Sequence, residues 1–452
     1  MKTFQDLQEV INNETQLKQF LINAINDHKG SDAYHWAQTG EAYDRQENTT
    51  IMRYRKMLYT MSGQAVPDNF NANHQLPSNF YNRFNVQENQ HLLGNGVNFE
   101  DNNIKEKLGT KKKEFDTTIQ KLGKLALTQG ESFGFWNLDH IDIFELLEFV
   151  PLYDEEDGAM KAGIRFWQIA DNKPLRVTLY EMDGYTEYIK RKDDSELKIY
   201  KEKRPYILKV HVTEADGTEV YDGENYPNFP IVPLWGNGDH VCKIKAWQPK
   251  IDCFDLIESG FANDVDDASL LYWTISNAGG MDDIDLAQFI QHMKTVKAAI
   301  VSDEGAHAEA HTIDVPVNAR ETYLTRLEKD LYKDAMALDT EAIAKGNTVA
   351  TAIKAAYEPL TAKTDDFEYC VIEFIQGILE LAGIEADPTF KRSFIVNQAE
   401  ETNMVLAAAQ YLDSETILKH LPFLSIDEIP NILDNLTREE ANRFVPDETE
   451  EE

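Results

Sequence analysis

Tyr226-Pro227-Asn228-Phe229-Pro230-Ile231-Val232-Pro233-Leu234-Trp235 opens the stretch that decides the fold, which runs through a polar turn and Trp247-Gln248-Pro249 to Leu271. Pro227, Pro230 and Pro233 predict an extended or edge segment, because proline cannot donate to a sheet ladder. From Pro249 the period changes. Phe254, Ile257, Phe261, Val265, Ala268 and Tyr272 recur at steps of three and four, the mark of one apolar helix face. Asp252, Asp255, Glu258, Asp264, Asp266 and Asp267 occupy the remainder. Pro249 suits a first-turn position, where its missing N–H is not needed. The pattern predicts a helix that packs along one stripe and turns a negative stripe toward whatever lies opposite.

Working outward, Ile143 to Leu234 is β-rich. Its Asp-Gly pairs at Asp157-Gly158, Asp183-Gly184, Asp216-Gly217 and Asp222-Gly223 are hairpin signals, which predicts an antiparallel α+β region. Further upstream, Phe4 to Asp27 reads as one polar amphipathic helix. An aromatic and basic segment follows, with Tyr34, Trp36, Tyr43, Arg45, Arg53 and Tyr54. The Asn-rich stretch from Asn69 to Pro77 reads as a loop. Helices are predicted from Phe80 to a C-terminal Gly94 and from Lys111 to Gly130. Downstream, Asn277-Ala278-Gly279-Gly280 breaks the acidic helix. A short helix, Ile284 to Met293, and strands at Lys297 to Val301 and Ala310 to Val315 are predicted next. Asn318 with Glu321 reads as a reciprocal helix cap. Leu324, Leu327, Leu331, Ala335 and Leu338 then share a face. Two helices thus bracket an insert of about 45 residues, near the small end of what folds alone. Lys345-Gly346-Asn347 is a turn, and Thr348 to Leu381 a long helix with a bend near Pro359. Ser425 with Glu428 reads as another capping box, and the end, Glu450-Glu451-Glu452, is acidic and reads as disordered.

The chain has 452 residues, 44 basic and 79 acidic, for a net charge of −35. Such a surface repels nucleic acid rather than gripping it, since duplex binding needs phosphate neutralisation by Lys and Arg. Two readings stay open on charge alone: a soluble acidic protein, or a wall along which DNA slides without sticking. The N-terminus lacks an apolar signal core, and no run approaches the roughly 20 apolar residues of a membrane span. Cys242, Cys253 and Cys370 lack C-x-x-C spacing and read as reduced, mostly buried thiols of a cytosolic assembly.

Motifs for chemistry are sparse. His307 and His311 lie four apart, but without H-E-x-x-H or a third ligand they read as part of a solvated loop. Asp264, Asp266 and Asp267 lack the calcium-loop pattern and read as a solvated helix face. Gly94-Asn95-Gly96 and Gly236-Asn237-Gly238 are turns. No phosphate-binding G-x-x-x-x-G-K-[ST] and no G-x-S-x-G occurs, so any ATP-driven motor is a partner. Lys111-Lys112-Lys113 reads as a solvated helix start.

Phe229-Pro230-Ile231-Val232-Pro233-Leu234-Trp235, followed by Ile251-Asp252-Cys253-Phe254-Asp255-Leu256-Ile257-Glu258-Ser259-Gly260-Phe261-Ala262-Asn263-Asp264, resembles the portal proteins of tailed bacteriophages, with His91-Leu92-Leu93-Gly94 and the helix–glycine–strand passage at Gly130 in matching order. Ser259 lies nearer Ala262-Asn263-Asp264 than the family pattern has it. The resemblance spans most of the chain in element order, and Phe80 to Gly134 and Tyr226 to Phe423 in residues. It implies a predominantly helical α+β ring subunit. Residues 1–248 would be a wing, 249–272 the first stem helix and 273–317 a small α/β clip. Residues 318–338 would be the second stem helix, 339–348 a tunnel loop, 349–395 a wing helix and 396–452 a helical crown with an acidic tail. It also implies a non-enzymatic, cofactor-free homododecamer at one capsid vertex of the virion, assembled in host cytoplasm, conducting double-stranded DNA inward and outward. Its partners would be large terminase, a head-completion adaptor, scaffolding protein and major capsid protein, with no membrane. Docking would use the clip, including Gly279, Gly280, His307 and His311; Lys345, Gly346 and Asn347 would form the tunnel loop. Asp252, Asp255, Glu258, Asp264, Asp266 and Asp267 are the channel-lining candidates. The alternatives are a metal-dependent enzyme acting on phosphate or nucleic acid through Asp264, Asp266 and Asp267, or another acidic ring component of the tail.

Overall fold

The computed structural model describes residues 2–59, 62–69, 71–101, 103–213, 219–268, 272–276, 307–311, 316–341, 350–392, 402, 405–421, 424 and 429–443. The chain opens with helices α1 (Phe4–Val10), α2 (Glu14–Lys29), α3 (Asp32–Asp44) and α4 (Thr49–Arg53). A ribbon, β1 (Met57–Tyr59) with β2 (Ala65–Pro67), precedes α5 (Phe80–Leu93), β3 (Val97–Asn98), α6 (Asn103–Lys107) and α7 (Phe115–Gln129). Strands follow: β4 (Glu131–Asn137), β5 (His140–Glu145), β6 (Phe149–Tyr153), β7 (Met160–Trp167), β8 (Leu175–Glu181), β9 (Gly184–Lys190), β10 (Lys198–Arg204), β11 (Ile207–Thr213), β12 (Glu219–Glu224) and β13 (Ile231–Trp235). Beyond them come α8 (Ile244–Ala268), β14 (Tyr272–Ser276), β15 (His307–His311), α9 (Val317–Asp334), α10 (Ala350–Ala382), β16 (Thr389–Phe390), α11 (Ser414–His420) and α12 (Ile429–Arg443). The class is α+β, with every sheet pairing antiparallel among the described residues.

Two sheets and a helical core carry the packing. Strands β6 to β10 form a five-stranded meander, and α2 lays Leu17, Phe20, Leu21, Ala24 and Ile25 against its Val150, Leu152, Ile164, Phe166, Val177 and Leu179. The three-stranded sheet has the order β13-β4-β5, so the proline-bearing β13 lies at an edge, as its composition predicts. One face of this sheet meets α10: Phe367, Val371, Phe374 and Ile378 recur at helical spacing and join Ile119, Leu122 and Ala126 of α7. Gly134 makes that approach possible, because a Cβ there would stand 2.5 Å from the Phe374 ring. Gly130 ends α7 with φ of 95°, a left-handed conformation that favours glycine. A third cluster joins α3, α5, α8 and α9 through Tyr43, Phe80, Tyr81, Phe84, Trp247, Ile251 and Leu331.

Several local expectations are corrected. The N-terminal helix is two, because Asn13 caps α2 by accepting from the Gln16 amide. Helix α7 starts at Phe115 and not Lys111, since Thr110 and Lys113 close a tight turn on each other's backbone. The β-rich region begins at Glu131, earlier than Ile143. Asp222-Gly223 is no turn: it lies within β12, opposite a register shift between Leu208 and Val210. Pro249 sits inside α8, which starts five residues earlier, at Ile244. Asn318 does not cap α9; the helix starts at Val317, and the Asn318 carbonyl accepts from the Thr322 hydroxyl (2.7 Å). Pro359 lies inside α10, the long helix in which the sequence places it. The backbone of His307–His311 is a strand rather than a loop, with His311 opposite Tyr272 and His307 opposite Ser276. The helix expected at Ile284 to Met293, the strand at Lys297 to Val301, and the Ser425–Glu428 cap lie outside the described residues.

Candidate functional site

Helix α8 changes character along its length. Its first half is a conventional apolar anchor: Ile244, Trp247 and Ile251 are buried, which is why the helix starts ahead of Pro249. In its second half the buried positions are polar: Asp255, Ser259 and Asn263, at steps of four. The stripe predicted to be buried is the more exposed one; Phe254, Ile257 and Phe261 are half-buried, and Val265 keeps 50% of its surface.

The buried polar stripe holds an extended segment of the chain. Asp255 accepts from the Ser78 amide (2.9 Å), Ser259 from the Leu76 amide (3.0 Å), and Asn263 from the His74 amide (2.7 Å). Alternate residues of the strap thus engage successive turns of the helix, running antiparallel to it. An extended chain here would otherwise bury unpaired amides, each costing about 1–3 kcal/mol. Asn48 donates to the second Asp255 oxygen. Gln75 fixes the strap from its other edge, donating to the carbonyls of Ile51, Met52 and Tyr54 at 2.9–3.0 Å. Burial pushes the Asp255 carboxyl up, and the bonds from Asn48 and Ser78 act against that shift.

The remaining acids fall into different surroundings. Asp252 accepts from the Tyr43 hydroxyl and from Thr50 (2.7 Å). Asp264 pairs with Arg320 of α9, and Asp266 with His74 of the strap. Lys250 and Asp334 pair between α8 and α9. Glu258 is raised by partial burial and by the charges of Asp255 and Glu328. Asp255 is therefore corrected as a channel-lining candidate: it is fully buried within its own subunit. The Asp267 side chain, the clip glycines Gly279 and Gly280, the side chains of His307 and His311, and Lys345, Gly346 and Asn347 lie outside the described residues. No group of three or more His, Cys, Asp or Glu gathers in metal-holding geometry among the described residues. No described helix is long and apolar enough to cross a membrane.

Two buried charged groups escaped the sequence reading. Glu88 of α5 is fully buried and meets the Lys243 and Lys363 ammonium groups at 2.7 and 2.6 Å. Lys363 lies over the Trp247 ring, and burial pulls it down to about 8 despite Glu88. This triad ties α5, the lead-in to α8, and α10 together. Its members are far apart in sequence, so no spacing signals it. Glu131 starts β4 and accepts from the Tyr153 hydroxyl (2.9 Å); burial pushes it up to about 8.

A helix pair, α8 and α9, joined in sequence through paired strands β14 and β15, beside an α+β region and a long helix α10, defines an architecture for which a family match exists. The family described as phage portal protein, SPP1 Gp6-like, matches residues 34–443. The chain belongs to this family. It is 23% identical over 288 residues to a portal protein of Clostridium phage phiCD119, covering 61% of this chain and 62% of that one. It is 22% identical over 321 residues to the portal protein of Bacillus phage SPP1, covering 66% and 60%. The chain thus spans about three-fifths of the length of these relatives. Among solved structures, the neck of an empty gene transfer agent particle is similar at a TM-score of 0.45 and 11% identity, covering 79% of this chain and 90% of that one. The virion of a native gene transfer agent particle is similar at 0.44 and 12%, covering 78% and 89%.

Proposed function

We propose that this chain is the subunit of a homo-oligomeric ring that conducts double-stranded DNA at one vertex of a phage capsid, during packaging and ejection. The observation that carries the reading is membership of the portal family across residues 34–443. The helix pair supports it. Helices α8 and α9 lie against each other and lead at one end to the β14–β15 pair, which suits a stem with a clip at its tip. The role is mechanical and electrostatic rather than enzymatic, and needs no cofactor. A net charge of −35 keeps the polyanion from adhering, and ring closure keeps it centred. With Asp255 buried, Asp252, Glu258, Asp264 and Asp266 remain as described acids for the channel side. The clip docks a terminase motor and then a head-completion protein, and the ring meets scaffolding and major capsid protein at the capsid vertex, in host cytoplasm. The segment containing Lys345, Gly346 and Asn347 touches the passing duplex.

Negative-stain imaging of the purified protein tests the ring. Perforated rings with twelve-fold views are expected. A monomer at every concentration and ionic strength overturns the proposal.

A further inference from the structure

One surface joins basic charge to exposed apolar side chains. Between Asn48 and Pro67 the chain has three basic residues, Arg53, Arg55 and Lys56, and no acidic one, within a protein of net charge −35. These residues enter the β1–β2 ribbon, where Met57 pairs with Pro67, Leu58 with Val66 and Tyr59 with Ala65. A two-stranded ribbon is marginally stable alone. This one also leaves large apolar groups in water: Met57 is 43% exposed, Leu58 36% and Tyr59 76%, beside Met52 of α4 at 45%. Arg53 and Arg55 meet no carboxylate among the described residues; Arg55 donates instead to the Tyr54 carbonyl (2.8 Å). The base of the ribbon is nevertheless firmly set. The Asp68 amide donates to the Lys56 carbonyl (2.8 Å), and Asn73 accepts from the Lys56 amide (3.0 Å). Residues 74–78 are then strapped to α8.

We propose that the ribbon is an arm by which one subunit grips the acidic surface of a second copy of this chain. The proposal rests on the ring reading and deepens it by naming a contact. Charge selects the occupant: an acidic protein surface complements Arg53 and Arg55, and the chain itself supplies one. Hydrophobicity selects against duplex DNA, because a phosphate backbone would satisfy the cations and leave Met57, Leu58 and Tyr59 in water. The anchored base makes the arm a positioned element, so little ordering entropy is lost on docking.

The test places the photocrosslinker p-benzoyl-phenylalanine at Tyr59 in the purified full-length protein, with and without added duplex DNA. Covalent dimers and higher ladders on denaturing gels are expected, with adducts mapping to acidic segments of another copy. Adducts confined to the same chain, or formed with DNA alone, overturn the proposal. In parallel, Arg53→Glu/Arg55→Glu and Met57→Ser/Leu58→Ser are each expected to lower the ring fraction about tenfold with circular dichroism unchanged, as removal of an interface anchor does. Wild-type ring yield from both variants refutes the arm while leaving the portal reading intact. Absence of rings from the wild type refutes that reading itself.

Discussion

Glu131 and Glu88 are two buried glutamates with opposite solutions to burial. Glu131 has one hydroxyl partner and keeps its proton, with its carboxyl up at about 8 against an ordinary 4.5. Between those values the native state holds a proton that the unfolded state has released. Stability should therefore fall as pH rises through that window and level off above it. Glu131→Gln should match wild type near pH 5 and exceed it well above pH 8 by up to roughly 5 kcal/mol, taking about 1.36 kcal/mol per unit. Urea midpoints across pH measure this, and parallel curves for the two proteins would reject it. Glu88 instead lies between two ammonium groups, those of Lys243 and Lys363. Glu88→Ala leaves two ammonium groups facing each other and should cost roughly 3–5 kcal/mol. Replacing Glu88 by Leu together with Lys363 by Met should cost less, read from the same midpoints. Neither site was legible in the sequence. A glutamate in an amphipathic helix looks solvated, and only the folded chain brings Lys243, 155 residues away, and the still more distant Lys363 beside it.

Helix α8 shows where pattern reading succeeds and where it inverts. Its existence was readable from the apolar period after Trp247, and β13 as an edge strand was readable from its prolines. The bounds of α8 were not, since the helix starts at Ile244 ahead of Pro249, and Tyr272, expected on its apolar face, begins strand β14. Which face is buried was not. Asp255, Ser259 and Asn263 resemble a solvent face because their partners are backbone amides of a distant loop, and amides carry no sequence signature. The same blindness affects Pro249, tolerated inside the helix because Ile244 and Trp247 anchor the turn before it. Asp255→Ala should cost about 2–3 kcal/mol, since it strands the Ser78 amide and Asn48 together. Ser259→Ala should cost about 1 kcal/mol, the ordinary value of one hydrogen bond. Hydrogen exchange supplies the more specific check. Replacing Asp255, Ser259 and Asn263 together should speed exchange at His74, Leu76 and Ser78 while α2 and the meander keep their protection. Unchanged exchange at those three amides would show that the strap is held by something else.

At the scale of the whole molecule, charge is the dominant fact. The acids outnumber the bases 79 to 44, yet many described acids are occupied in ion pairs or capping bonds rather than free for a partner. The assembled protein should show no mobility shift with duplex DNA at micromolar concentrations and about 0.15 M salt, because counterion release requires clustered cations. Sub-micromolar binding would contradict a low-adhesion wall. The order of the elements was legible because turns, caps and periodicity are local. The layering of α2 on the meander and of α10 on the three-stranded sheet was not, since a periodic stripe tells that a face is covered without telling by what.

The strap on α8 is also a gear train. Four residues of helix advance about 6.0 Å, and two residues of extended chain about 6.6 Å, so successive teeth lose about 0.6 Å of alignment. Over the three contacts at Asp255, Ser259 and Asn263 the error stays within the tolerance of a hydrogen bond; a much longer rack of the same kind would strip. The register is pinned from outside the rack, by Asn48 on Asp255 and by Gln75 at the carbonyls of Ile51, Met52 and Tyr54. The strap thereby ties the base of the β1–β2 ribbon to successive turns of α8.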